Sequence, residues 1–154
     1  MILEFPIRKI RASSTLETKL FKIDSDPFIH RIHARVIFVA SDGRELIPID
    51  AIIDTGAILS LFPKSVLSSY HNIVTEDHTL WGIVDTPECQ VPAKLAKVTI
   101  RLQDVNNLKS QHLGVTAAFS ADNSMPALIG MKDILSQFSS QTDPKIGIFK
   151  LNIV

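Results

Sequence analysis

The chain has 154 residues, 45% of them hydrophobic, and 16 Lys and Arg balance 16 Asp and Glu. That length and apolar content suit one globular domain, residues 1–154, with a core of its own, and make disorder a poor default. A net charge of zero leaves no electrostatic footprint for nucleic acid, and the seven basic against four acidic residues in 1–35 read as a solvated face. The single Cys89 excludes an internal disulfide framework, and there is no N-terminal apolar h-region or long apolar span. The expected setting is reducing and cytoplasmic, with no membrane partner.

In chain order, residues 1–29 form an N-terminal extension whose structure the sequence leaves open. "ILEFPI" reads as a strand interrupted by Pro6, and "IRASSTLETKLFKID" suits a strand pair or a short helix. From Ile32 apolar residues alternate through Ala34, Val36 and Phe38, the pattern of a half-buried strand. Asp42-Gly43 is a strong hairpin signal, so a second strand over residues 45–53 should return antiparallel and end at Asp54. Pro63 then opens a short helix over 64–70, where its missing N–H costs nothing.

Residues 80–83 and 91–95 flank a polar stretch with Pro87 and read as the arms of a long hairpin. Alternation over 94–102 predicts a strand, with 112–119 as its partner across a loop at 104–109. Met131, Ile134, Leu135 and Phe138 recur at helical spacing and predict the one clear helix, and "IGIFKLNIV" closes the chain as a strand. The class is mostly β with one or two short helices, as a small closed β-barrel or a folded sheet with hairpins.

"AIIDTGAILSLFP", residues 51–63, carries the chemical question. A carboxylate entering an apolar run is costly unless it is paired or given work. Asp-Thr-Gly also makes good turn chemistry, with Asp54 bonding the backbone ahead of it and Gly56 taking positive φ. Taken alone, the tripeptide leaves both readings open.

Two further segments follow it in order: "LWGIVDTPECQVPAKLAKVTI" and "MPALIGMKDIL". With "IIDTGAILSLFP" they resemble, over about residues 30–154, the retropepsins, the single-lobe, dimeric aspartic proteases of retroviruses and some cellular proteins. The resemblance implies a retropepsin-like domain with a flap hairpin, acting as an aspartic endopeptidase on a peptide or protein substrate, with no cofactor and no metal. A metal-free peptidase of this kind needs one carboxylate to activate water and a second, protonated, to polarise the carbonyl. Two close carboxyl groups cannot both ionise cheaply and therefore share a proton, as aspartic-protease dyads generally do.

This chain has a single Asp-Thr-Gly, so the resemblance implies a homodimer in which Asp54 meets Asp54 across a two-fold axis. It assigns Thr55 to a hydrogen bond that locks the two loops. Gly56 allows close backbone approach, Ala57 leaves room beside the dyad, and Leu128, Ile129 and Gly130 pack behind the loop. Trp81, Gly82, Ile83 and Val84 take the place of the flap, although the tip is poor in glycine and Pro87 removes a donor. Trp81 suits an ordinary core position equally well.

Other chemistries find less support. His30 and His33 lie three apart on a strand and point to opposite faces, and His71, His78 and His112 show no ligand spacing. Cys89 has acids and no nearby His beside it, and Ser60 lacks a Gly-x-Ser-x-Gly setting. The alternative on the same scaffold is a catalytically inactive dimeric module that binds extended peptide segments. An unrelated β-barrel interaction module is the remaining rival.

Overall fold

A computed structural model describes residues 1–11, 28–80, 90–121 and 125–153. Among the described residues ten strands form one sheet: β1 (Ile2–Arg11), β2 (Phe28–Val39), β3 (Ile49–Ile53), β4 (Ser60–Pro63), β5 (Thr75–Leu80), β6 (Val91–Gln103), β7 (Leu113–Ser120), β8 (Leu128–Ile129), β9 (Ser139–Asp143) and β10 (Ile148–Asn152). Their order is β5-β6-β7-β4-β8-β3-β2-β1-β10-β9, and a further pairing of β6 with β2 closes the strands from β6 to β2 into a ring. Outside the ring, β5 continues from β6, and β1, β10 and β9 extend from β2. The expectation of a mostly β, folded sheet with hairpins is met. Among the described residues no helix is long and apolar enough to cross a membrane.

The interior follows from the alternation seen in the sequence. Val36 and Phe38 of β2 and Val98, Ile100 and Leu102 of β6 turn into one core. Phe38, Phe62 and Phe119 meet there from β2, β4 and β7, with Phe38 and Phe62 edge to face at 4.9 Å. Burying each ring contributes about 2 kcal/mol on area alone. Phe62 thereby anchors β4, the strand that leaves the Asp54 loop.

The hairpin at Asp42-Gly43 forms as expected. Gly43 takes a φ of 82°, and Asp42 Oδ1 accepts the Arg44 N–H at 3.0 Å. The return is less regular than the predicted strand over 45–53. Val39 bridges Glu45 while Val36 faces Ile49, so the returning chain holds one extra residue, and Pro48 in that interval has no ladder N–H to give. Pro6 does not interrupt β1. Residues up to Pro6 pair with β10 and residues from Ile7 with β2, so the proline stands where the strand changes partner.

Of the two predicted helices, the first forms and the second needs correction. Residues 64–70 form a 3-10 helix, Lys64–Ser69, with Pro63 as its N-cap. Residues 131–138 are not an α-helix. A turn leads into a single 3-10 turn, Leu135–Gln137, and Phe138 leads directly into β9. The apolar spacing there serves another geometry. Ile134 and Leu135 are buried, Met131 is 37% exposed, and Asp133 takes a φ of 63°, which no α-helix continues through.

Candidate active site

β3 carries its buried residues, Ala51 and Ile53, on one face, so the next side chain, Asp54, falls on the other as the strand ends. The Asp54 N–H still donates to Ile129 O at 2.9 Å, which continues the parallel pairing of β3 with β8 by one residue. The chain then turns at once: Ala57 N–H reaches Asp54 O at 3.2 Å, and Gly56 N–H donates to Asp54 Oδ1 at 2.9 Å. Asp54 thus makes the side-chain turn its sequence allows. Positive φ among the described glycines falls at Gly43 and Gly147, however, not at Gly56. Space is what Gly56 supplies, since a Cβ there would sit 3.2 Å from Asp54 Oδ1.

The segment after β8 holds the loop from beneath. Met131 N–H donates to Ala57 O and Lys132 N–H to Ile58 O, each at 2.8 Å. Gly130 N–H donates to Ser60 Oγ at 3.0 Å in the buried interior. Gly130 is pressed so close that a Cβ would lie 2.5 Å from Leu59 O, a distance only glycine avoids. Backbone and a buried hydroxyl together fix the direction in which Asp54 points.

Asp54 stands half-buried on the wall of a cleft of about 860 Å³, shared with Gly56, Ala57, Ile58, Leu61, His78, Leu80 and Leu128. The lining is mostly apolar, with Asp54 and His78 as its titratable side chains. Asp54 Oδ2 has no hydrogen-bond partner among the described residues, so the carboxylate keeps acceptor capacity facing solvent and cleft. β5, which supplies His78 and Leu80, is an end strand of the sheet, and among the described residues no strand pairs with its outer edge.

The structure brings together Asp54, Gly56, Ala57 and Leu128 on the cleft, with Ile129 and Gly130 buried behind them and Thr55 exposed at the turn. Trp81, Gly82, Ile83 and Val84, assigned to the flap, lie outside the described residues, as do Pro87 and Cys89. Sequence reasoning missed Ser60, His78 and Leu80. Ser60 had a signal: a hydroxyl entering the apolar run "LSLF" must find a partner once buried, and Gly130 N–H is that partner. Among the described residues no three His, Cys, Asp or Glu side chains gather as a metal would require.

A similar fold occurs in a solved protein. The crystal structure of a retropepsin-like aspartic protease from Rickettsia conorii aligns over 99% of this chain and 92% of its own, with a TM-score of 0.50 and 13% identity. The fold is retropepsin-like. At that identity the likeness extends to the fold alone. No family model matches the chain, and no curated protein matches it in sequence.

Proposed function

We propose that this chain is an aspartic endopeptidase that acts as a homodimer, with Asp54 of two copies forming the catalytic dyad. The observation that carries the reading is the Asp54 carboxylate itself: one oxygen is spent on Gly56 N–H, the other is spare, and the loop beneath is pinned so that the group opens on a cleft. In the proposed dyad one carboxylate is ionised and takes a proton from water as the water oxygen attacks the peptide carbonyl carbon. The protonated partner polarises the carbonyl oxygen. Collapse of the tetrahedral intermediate breaks the C–N bond as the leaving amine takes a proton from the dyad, giving a carboxylic acid and an amine.

Thr55, exposed at the turn, is proposed to bond across the two-fold axis. Gly56 and Ala57 leave room at the dyad, and Leu128, Ile129 and Gly130 hold the loop. Trp81, Gly82, Ile83 and Val84 are proposed to close over the peptide. Asp54→Asn tests the mechanism, because the amide keeps the shape and cannot act as base: peptide cleavage should fall by about a hundredfold to ten-thousandfold. Full cleavage by that variant overturns the reading. Specific activity should also fall on dilution below the dimer dissociation constant.

The cleft also supports a second reading, a dimeric module that binds peptide without turnover. Ile58, Leu61, Leu80 and Leu128 beside the outer edge of β5 would hold an extended segment whether or not the dyad reacts. A pH series separates the two. Cleavage by a dyad follows a bell on the acid side of neutral, whereas binding through apolar pockets stays flat.

A further inference from the structure

We propose that the fork between β1 and β6 is a binding site for a carboxylate group, held by the guanidinium groups of Arg8 and Arg35 together with the imidazole of His33. The site shares no residue with the Asp54 cleft and does not depend on what that cleft does.

The fork comes from the way one edge of β2 is divided. β1 pairs with β2 from Arg11 with Phe28 to Ile7 with Ile32, and β6 pairs with it from Gln103 with Arg35 to Thr99 with Val39. β3 takes the other edge over the same stretch, from Ile32 to Val36. His33 and Ala34 therefore lie between two ladders, where β1 has left and β6 has not yet joined. Backbone bonds bridge the gap farther out: Glu4 N–H donates to Asp104 Oδ2 at 3.3 Å, and Val105 N–H donates to Glu4 O at 3.1 Å. What remains is a cavity of about 360 Å³, room for a small acid or a single acidic side chain.

The lining calls for an anion. Arg8 and Arg35 both face the cavity, and among the described residues neither is in an ion pair. His33 faces it too, and its buried Nε2 has no hydrogen-bond partner among the described residues. A buried polar nitrogen without a partner is costly and uncommon, so it points to a group that meets it. Gln103 and Asn107 add carboxamides, joined Nε2 to Oδ1 at 3.4 Å. Of the acids present, Asp104 spends its oxygens on three backbone N–H groups, and Asp50, exposed, faces Arg35 in register. With these two carboxylates nearby, a ligand group of one negative charge suits the lining better than a dianion. A planar carboxylate also matches the guanidinium fork.

His33 makes the site sensitive to pH. The charged groups around it are Arg8 on β1, Arg31 and Arg35 on β2, Asp50 on β3 and Asp104 after β6. Burial, then Arg8 and Arg31, holds the imidazole below its ordinary 6.5, with Asp50 opposing them. His33 is accordingly neutral at neutral pH. A carboxylate against Nε2 favours the imidazolium, so binding takes up a proton and tightens as pH falls from about 7 to about 5.

The test is calorimetric titration of the whole chain with N-acetylglycine, a small free carboxylate, and with a capped Gly-Glu-Gly peptide, against N-acetylglycinamide and capped Gly-Gln-Gly as neutral controls. Saturable binding of either carboxylate, absent from its control, is expected, and the tighter of the two tells a free acid from an acidic side chain as the source. Arg8 and Arg35 are exposed, so Arg8→Gln and Arg35→Gln should keep the circular dichroism of the wild type while raising the dissociation constant about tenfold or more. His33→Gln should abolish the gain in affinity at low pH. Asp50→Asn should tighten binding several-fold, a result that damage to the fold cannot imitate.

Phosphate binding more tightly than both carboxylates overturns the assignment of the ligand. Failure of both carboxylates to bind, or binding that Arg35→Gln leaves unchanged, overturns the site. Neither result touches the reading of Asp54.

Discussion

Asp54 and Asp104 each follow the end of a strand, and each folds the chain back through its own side chain, yet their carboxylates are used differently. Asp104, 3% exposed, spends both oxygens on backbone. Oδ1 accepts Asn106 N–H and Leu108 N–H, both at 2.8 Å, and Oδ2 accepts Glu4 N–H at 3.3 Å. Asp54 spends one oxygen on Gly56 N–H and presents the rest of its acceptor capacity to a cleft. Local turn chemistry is thus no guide to the role of an aspartate. What separates a structural carboxylate from a candidate reactive one is whether backbone donors have used up its lone pairs.

The sharpest break between them is a matched pair of amides. Asp54→Asn should remove about a hundredfold or more of peptide cleavage while leaving the denaturation midpoint close to wild type. Asp104→Asn should do the reverse. An amide oxygen cannot serve the same set of N–H donors, and the exposed cost of about 2–3 kcal/mol should appear in denaturant unfolding with cleavage per folded molecule unchanged. Should Asp104→Asn abolish turnover at unchanged stability, the contrast is wrong.

Ser60→Ala sharpens the contrast from the side of support. It strips the buried Gly130 N–H of its acceptor, for a loss of about 1–2 kcal/mol. If the hydroxyl fixes the direction of Asp54, the kcat for peptide should fall as well, which an Asp104 variant would not show. Ser60→Thr, which keeps the hydroxyl, should recover most of the turnover.

The smallest effect expected is at Tyr70, whose buried hydroxyl has no hydrogen-bond partner among the described residues. Tyr70→Phe should change stability near neutral pH by no more than about 1 kcal/mol, in the stabilising direction. Burial pushes the Tyr70 phenol up from its ordinary 10 to about 12. Below pH 10 both folded and unfolded chains keep the proton. Between 10 and 12 the unfolded chain loses it first, so stability conferred by the neutral phenol is lost as pH rises through that window. Alkaline unfolding monitored by circular dichroism should therefore be shallower in Tyr70→Phe.

Much of the ring was legible in the sequence because its strands are half-buried. Alternation through Val98, Ile100 and Leu102 is the imprint of one wet and one dry face, whereas β2 alternates only as far as Val36, beyond which Ile37 and Val39 are buried as well as Phe38. β9 left no such imprint. A polar edge strand with little burial has no period to read, and "SSQTD" looks like a loop. The segment before it misled in the opposite direction, since Ile134, Leu135 and Phe138 have the spacing of a helix but reach the core through a turn that Asp133 makes possible at positive φ. At the site, Asp54 announced itself as a charge in an apolar run. His78 did not, because what makes it a neighbour of the loop is the pairing of distant strands rather than local spacing, and Ser60 showed only that it must find some partner, not that Gly130 N–H is the one.

Pro6 divides the backbone of β1 into two leases. Up to that residue the strand pairs with β10, and beyond it with β2, although Ile7 N–H still donates to Gly147 O and Glu4 is held by Asp104 and Val105. With no N–H at the handover, the ladder has a seam where one group of hydrogen bonds can be released without unzipping the next. Amide exchange should accordingly sort into two tiers, an earlier one over β9 and β10 and a later one over β2, β6 and β7. A chain so divided can loosen β9 and β10 and still keep the loop of Asp54 in shape.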